Sequence, residues 1–138
     1  MKDMTVLEHG LAAISEDHQV LMGYLDNLTE AAAAGESREM VLEILNNLVR
    51  RAEGHFAEEE QILQIHEYPD VELHAHEHEF LLAQVMNLRG EVQQGARVVT
   101  LSTAAFLRDW LREHIDQTDD RATQFLNERE PGHEEFVP

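Results

Sequence analysis

Histidine and carboxylate recur in this chain at spacings that let one helix face present two donors. His55 and Glu59 stand four apart, as do His74 and His78, so each pair stacks on one side of a helix. His114 and Asp119 stand five apart, about 140° around an ideal α-helix, so Asp119 is expected to reach in from the edge of the inward face. His18 stands alone. Imidazole with carboxylate is a donor set for iron and similar ions rather than for thiolate chemistry, and the sequence contains no cysteine. That absence excludes disulfide scaffolds, thiolate zinc sites, iron–sulfur clusters and thiol catalysis.

The elements that must carry these donors are read from the apolar pattern. Punctuation is sparse, at Gly35, Pro69, Gly95 and Pro131-Gly132, and the stretches between have helical spacing. The pattern predicts helices over about 16–33, 38–64, 71–94 and 101–127. Ser15, Ser37, Asp70 and either Thr100 or Ser102 are the expected N-caps, with Gly35 and Gly95 at helix ends. Short connections then force an all-α, up-down-up-down antiparallel four-helix bundle, as a single domain with terminal extensions at 1–9 and 129–138.

Inward positions follow at alternating steps of three and four. They are His18, Leu21, Leu25, Leu28 and Ala32 on the first helix, and Val41, Leu45, Leu48, Ala52, His55, Glu59 and Ile62 on the second. The third contributes His74, His78, Leu81, Val85, Leu88 and Val92. The fourth contributes Ala104, Leu107, Leu111, His114, Thr118, Ala122 and Phe125. Every helix thus puts an ionisable group in the core, which costs several kcal/mol each unless the groups satisfy one another or a shared ion. Antiparallel packing brings all seven to one end of the bundle. Five imidazoles and two carboxylates are too many for a single metal. On a pair of six-coordinate ions, with both carboxylates bridging and one oxide or hydroxide shared, they leave one position open, where dioxygen would bind to iron.

The series is similar to hemerythrin in its single-domain bacterial form, over about residues 10–126. The matching residues are Gly10 and Ile14 before His18, then His55-Phe56-x-x-Glu59-Glu60 and Tyr68-Pro69. His74-x-x-x-His78-x-Phe80 and Trp110-Leu111-x-x-His114-Ile115-x-x-x-Asp119 complete the match. The resemblance implies two iron ions with a bridging oxo or hydroxo group, and Glu59 and Asp119 bridging as well. His74, His78 and His114 would complete the six-coordinate iron, and His18 and His55 the five-coordinate one. Dioxygen would be held reversibly there as hydroperoxide. Ser15, Asp17 and Ala122 depart from the residues common in relatives, which bears on how the ligands are tuned.

Leu21, Phe56, Trp110, Leu111 and Ile115 are read either as plain core or as a dry wall around the open iron. Glu58 and Glu60 are expected in solvent, and His76 on the surface. His9, His66 and His133 fall outside the ligand pattern. The net charge of -18, from 10 basic against 28 acidic residues, makes nucleic acid and anionic membranes improbable partners. A soluble, cytoplasmic monomer is expected, with an oxygen recipient or signalling partner left open. The rival readings are a di-iron oxidase or peroxidase, nitric-oxide handling, iron storage, or a bundle taking any divalent metal. Oxidase bundles of the ferritin type use Glu-x-x-His pairs on their core faces, and none stands at a core position here.

Overall fold

A computed structural model describes residues 6–129; residues 1–5 and 130–138, and with them His133 and the Pro131-Gly132 pair, lie outside the described residues. Three long helices come first: α1 (Val6–Ala34), α2 (Arg38–Ile65) and α3 (Val71–Gln93). A fourth rod consists of α4 (Leu101–Glu113), a π-helical segment over His114–Asp119, and α5 (Asp120–Arg129). The architecture is the expected antiparallel four-helix bundle, α2 lying between α1 and α3 while α4 packs on α1. No helix among the described residues is long and apolar enough to cross a membrane.

The ends follow local chemistry. The Ser37 hydroxyl accepts from Met40 N–H at 3.2 Å and Thr100 from Thr103 N–H at 3.2 Å, so both cap helices and Thr100, not Ser102, caps α4. Asp70 precedes α3 without a side-chain cap bond. Gly35 (φ +65°) and Gly95 (φ +73°) end α1 and α3 in the left-handed conformation open to glycine.

One expected start is corrected. Among the described residues the first helix already runs from Val6 rather than starting near residue 16, and Ser15 lies inside it rather than capping it. Gly10 is not a break: a Cβ there would meet Ile62 Cδ1 at 3.0 Å, so glycine allows α1 to approach α2 closely. The added turns carry Leu7, Leu11 and Ile14, which continue the inward stripe and are buried.

Two apolar clusters result. The larger, containing Leu21, Leu25, Leu28, Leu45, Leu48, Val85, Leu88, Leu107 and Leu111, fills most of the bundle. The smaller joins Leu7, Leu11, Ile14, Leu63, Tyr68, Ala122 and Leu126. Leu63 and Leu126 are buried, while the expected Ile62 and Phe125 pack half-buried beside them. Between the two clusters in chain position, on every helix, come the histidines and carboxylates.

Candidate metal centre

All seven expected ligands are buried, none more than 8% exposed. Their donor atoms form two groups, each with every atom within 4.8 Å of the others: Glu59, His74, His78, His114 and Asp119 in one, and His18, His55 and Glu59 in the second. Glu59 belongs to both. Its Oε2 is 3.6 Å from His18 Nε2 and 3.5 Å from His55 Nε2, while its Oε1 faces His74 Nε2 and lies 3.2 Å from His78 Nε2. Asp119 also reaches across the bundle, Oδ2 standing 3.0 Å from His18 Nε2 and Oδ1 at 2.7 Å from His74 and 3.2 Å from His114.

Asp119 does not lean in from the edge of an α-helical stripe, because the chain from His114 to Asp119 is π-helical. A π turn closes its hydrogen bonds over five residues, so a residue five positions on returns toward the same face. The wider turn brings both His114 and Asp119 into the core and leaves Asp116 and Asp120 exposed. Single π turns inside α-helices are frequent at functional sites.

Carboxylates also stand behind three of the imidazoles. Asp17 Oδ2 lies 3.2 Å from His55 Nδ1, Glu60 Oε2 lies 2.8 Å from His78 Nδ1, and Glu77 Oε2 lies 3.5 Å from His114 Nδ1. Glu60 is therefore not the solvated residue expected from its place beside Glu59, whereas Glu58 is exposed. Glu60 and Glu77 are backing residues that periodicity passes over, since each is one helical position off the inward stripe. Ring packing fixes the planes further: Phe56 stacks on His78 with centroids 3.9 Å apart, and Trp110 on His114 at 5.3 Å. Leu21, Phe56 and Leu111 are buried in the larger cluster, and Trp110 and Ile115 pack half-buried against it. His76 is exposed, and His66 ends α2 with Nδ1 2.9 Å from Ile62 O. His9 lies in α1, its side chain outside the described set.

Burial disfavours the charged form of His18, but the Asp119 and Glu59 carboxylates beside it outweigh that and raise its pKa to about 9. His74 is likewise opposed by burial and carried to about 10 by Asp119 and Glu59. Burial and the charge of Glu59 push Asp119 up, yet His114, His18 and His74 bring it to about 2. Burial also opposes ionisation of Glu59, and His18, His74 and His78 hold it well below the usual carboxylate range. His55 goes the other way, its pKa lowered chiefly by burial.

The donor set fits bound metal. His18 Nε2 and Asp119 Oδ1 are buried without a hydrogen-bond partner despite their close neighbours, and His78 Nε2 faces His114 Nε2 at 3.1 Å. Two ring nitrogens in that relation need a shared proton or a shared ion. Imidazoles and carboxylates without thiolate match iron, and neutral imidazole is the form that ligates.

A four-helix bundle with a histidine-rich, carboxylate-crossed cluster in its core defines a class of metal-binding helical proteins. The chain belongs to the hemerythrin family, matching the Hemerythrin HHE cation binding domain over residues 9–126. It is 30% identical over 104 residues to a bacteriohemerythrin of Methylococcus capsulatus, covering 75% of this chain and 79% of that one. To a bacteriohemerythrin of Ralstonia nicotianae it is 26% identical over 125 residues, covering 91% and 88%. A crystal structure of wild-type hemerythrin superposes with a TM-score of 0.75 at 26% identity, covering 88% of this chain and 94% of that one.

Proposed function

We propose that this chain is a non-haem di-iron protein that binds dioxygen reversibly, as a carrier, store or sensor of oxygen rather than an enzyme. His74, His78 and His114 would hold one iron and His18 and His55 the other, with Glu59 and Asp119 shared between them. The observation that carries this reading is the partition of the buried donors into a group of five and a group of three that have Glu59 in common. Bound ferrous ions would supply the electrons and the open coordination position that dioxygen requires.

The protein's own residues supply the rest. Leu21, Phe56 and Leu111 exclude water from the side of the cluster facing the larger apolar core, so few protons reach it. Phe56 and Trp110 hold the His78 and His114 rings in plane, and Glu60 keeps the His78 tautomer with Nε2 turned inward. A surface hollow of about 430 Å³ borders His18 on the three-donor side, lined by Met22, Gly23 and Ile115 together with Asp26, Arg112 and Asp116. Five imidazoles against two carboxylates place less negative charge on the metals than an oxidase site does, which favours binding over O–O cleavage.

The test is the visible spectrum of anaerobically reduced, iron-loaded protein before oxygen, after oxygen and after purging with inert gas. A band that appears with oxygen and vanishes on purging is the expected result. Direct, irreversible conversion to the oxidised spectrum would favour the oxidase or peroxidase reading instead.

A further inference from the structure

Asp17 immediately precedes His18 on α1, and Arg51 stands four residues before His55 on the same side of α2. The Asp17 carboxylate is divided between them. Its Oδ1 accepts from Arg51 Nη2 at 2.6 Å and from Arg51 Nε at 2.9 Å, which leaves Oδ2 for His55 Nδ1 at 3.2 Å. A carboxylate can only accept here, so the hydrogen bond to Asp17 puts the proton on Nδ1, and Nε2, 3.5 Å from Glu59 Oε2, keeps its lone pair for a metal between them. Glu60 and Glu77, which back His78 and His114, make no ion pair with an arginine among the described residues. The relay therefore serves only the three-donor group.

Resting on the two-metal reading above, we propose that Arg51 and Asp17 form a positioning relay that fixes the His55 tautomer and thereby sets the affinity of the His18–His55–Glu59 position alone. Arg51 orients Asp17 by occupying one of its oxygens twice, and it offsets the negative charge that Asp17 would otherwise press on His55. The relay opens to solvent through a cleft of about 390 Å³ lined by Asp17, Tyr24, Asn47, Arg50, Arg51 and Glu58. Arg51 is exposed, so it can be replaced without opening the core.

Titration of the full, metal-free chain with cobalt(II), followed by the visible bands of the ion and by equilibrium dialysis, tests this. Wild type should take two ions. Asp17→Ala should weaken one of them about 10- to 100-fold and leave the other unchanged, the loss typical when the partner behind a ligating histidine is removed. Asp17→Asn, whose single amide oxygen cannot accept from both Arg51 and His55 Nδ1–H, should recover only part of that loss, and Arg51→Met should cost less than Asp17→Ala. Equal affinities in wild type, Asp17→Ala and Arg51→Met would overturn the relay. Nitrogen-15 shifts of His55 in wild-type protein give an answer that needs no variant: a protonated Nδ1 is expected, and a protonated Nε2 would overturn it. One ion per wild-type chain would defeat the two-metal reading instead, and the His55 tautomer would still decide the relay.

Discussion

The leucine-filled part of the bundle and the layer around Glu59 are built on the same helical spacing and hold opposite kinds of side chain. In the first, Leu25, Leu28 and Leu45 are fully buried among apolar neighbours and need nothing beyond close packing. In the second, groups as deeply buried depend on one another: His18 and His74 keep protons because Glu59 and Asp119 are beside them, and the carboxylates stay charged because the histidines are. Even the backbone differs, regular through α4 under Leu107 and Leu111 and π-helical under His114 and Asp119. Removing a leucine leaves a void and a graded loss, whereas removing a shared carboxylate leaves several buried groups unsatisfied at once.

Substitutions should separate the two regions. The largest effect is expected for Glu59→Gln, which alters the one residue common to both donor groups. Iron per chain after loading should collapse, a loss beyond the roughly 10- to 100-fold typical of residues behind a ligand, while far-ultraviolet circular dichroism still reports a helical bundle. Leu45→Ala should do the reverse, costing about 2–5 kcal/mol in urea unfolding with iron per chain unchanged. Were Leu45→Ala to abolish metal uptake, the two regions would not be separable.

Next in size is a pH effect on metal-free protein. The folded pKa values of His18 and His74 are raised above 6.5, so their contribution is full below that value and fades as pH climbs through about 9 and about 10. Asp119 is depressed, so its contribution holds above 3.8 and fades as pH falls toward about 2. Metal-free protein should therefore melt at its highest temperature in mildly acidic buffer and lose stability through alkaline pH. Loaded protein should run oppositely on the acid side, because protons compete for the ligating imidazoles. The smallest effect is expected at the far end of the bundle, where Thr100→Ala should cost about 1 kcal/mol of thermal stability through loss of the α4 cap, with no change in metal content.

The sequence showed most of the bundle because periodicity is a property of the chain itself. His74, His78, Leu81, Val85, Leu88 and Val92 are all buried as their spacing requires. The start of α1 was less legible. Ser15 has the chemistry of a cap, and only the nearness of Ile62 shows Gly10, upstream of it, to be a packing position inside the helix. The 100° step of an α-helix puts Asp119 at the edge of its stripe, but the segment that carries it is π-helical. Glu60 and Glu77 were passed over for a third reason. They act on the outward nitrogen of an inward ring, and that relation depends on which neighbouring helix lies beside them, not on the period of their own.

On the proposed function, the polar layer holds a pair of irons. Mössbauer spectroscopy of protein produced with isotopically enriched iron, combined with metal analysis of the same sample, addresses it most directly. Two irons per chain that behave as one magnetically coupled pair are expected. A single isolated ferric ion, or a chain that prefers zinc from iron-supplied cells, would contradict it.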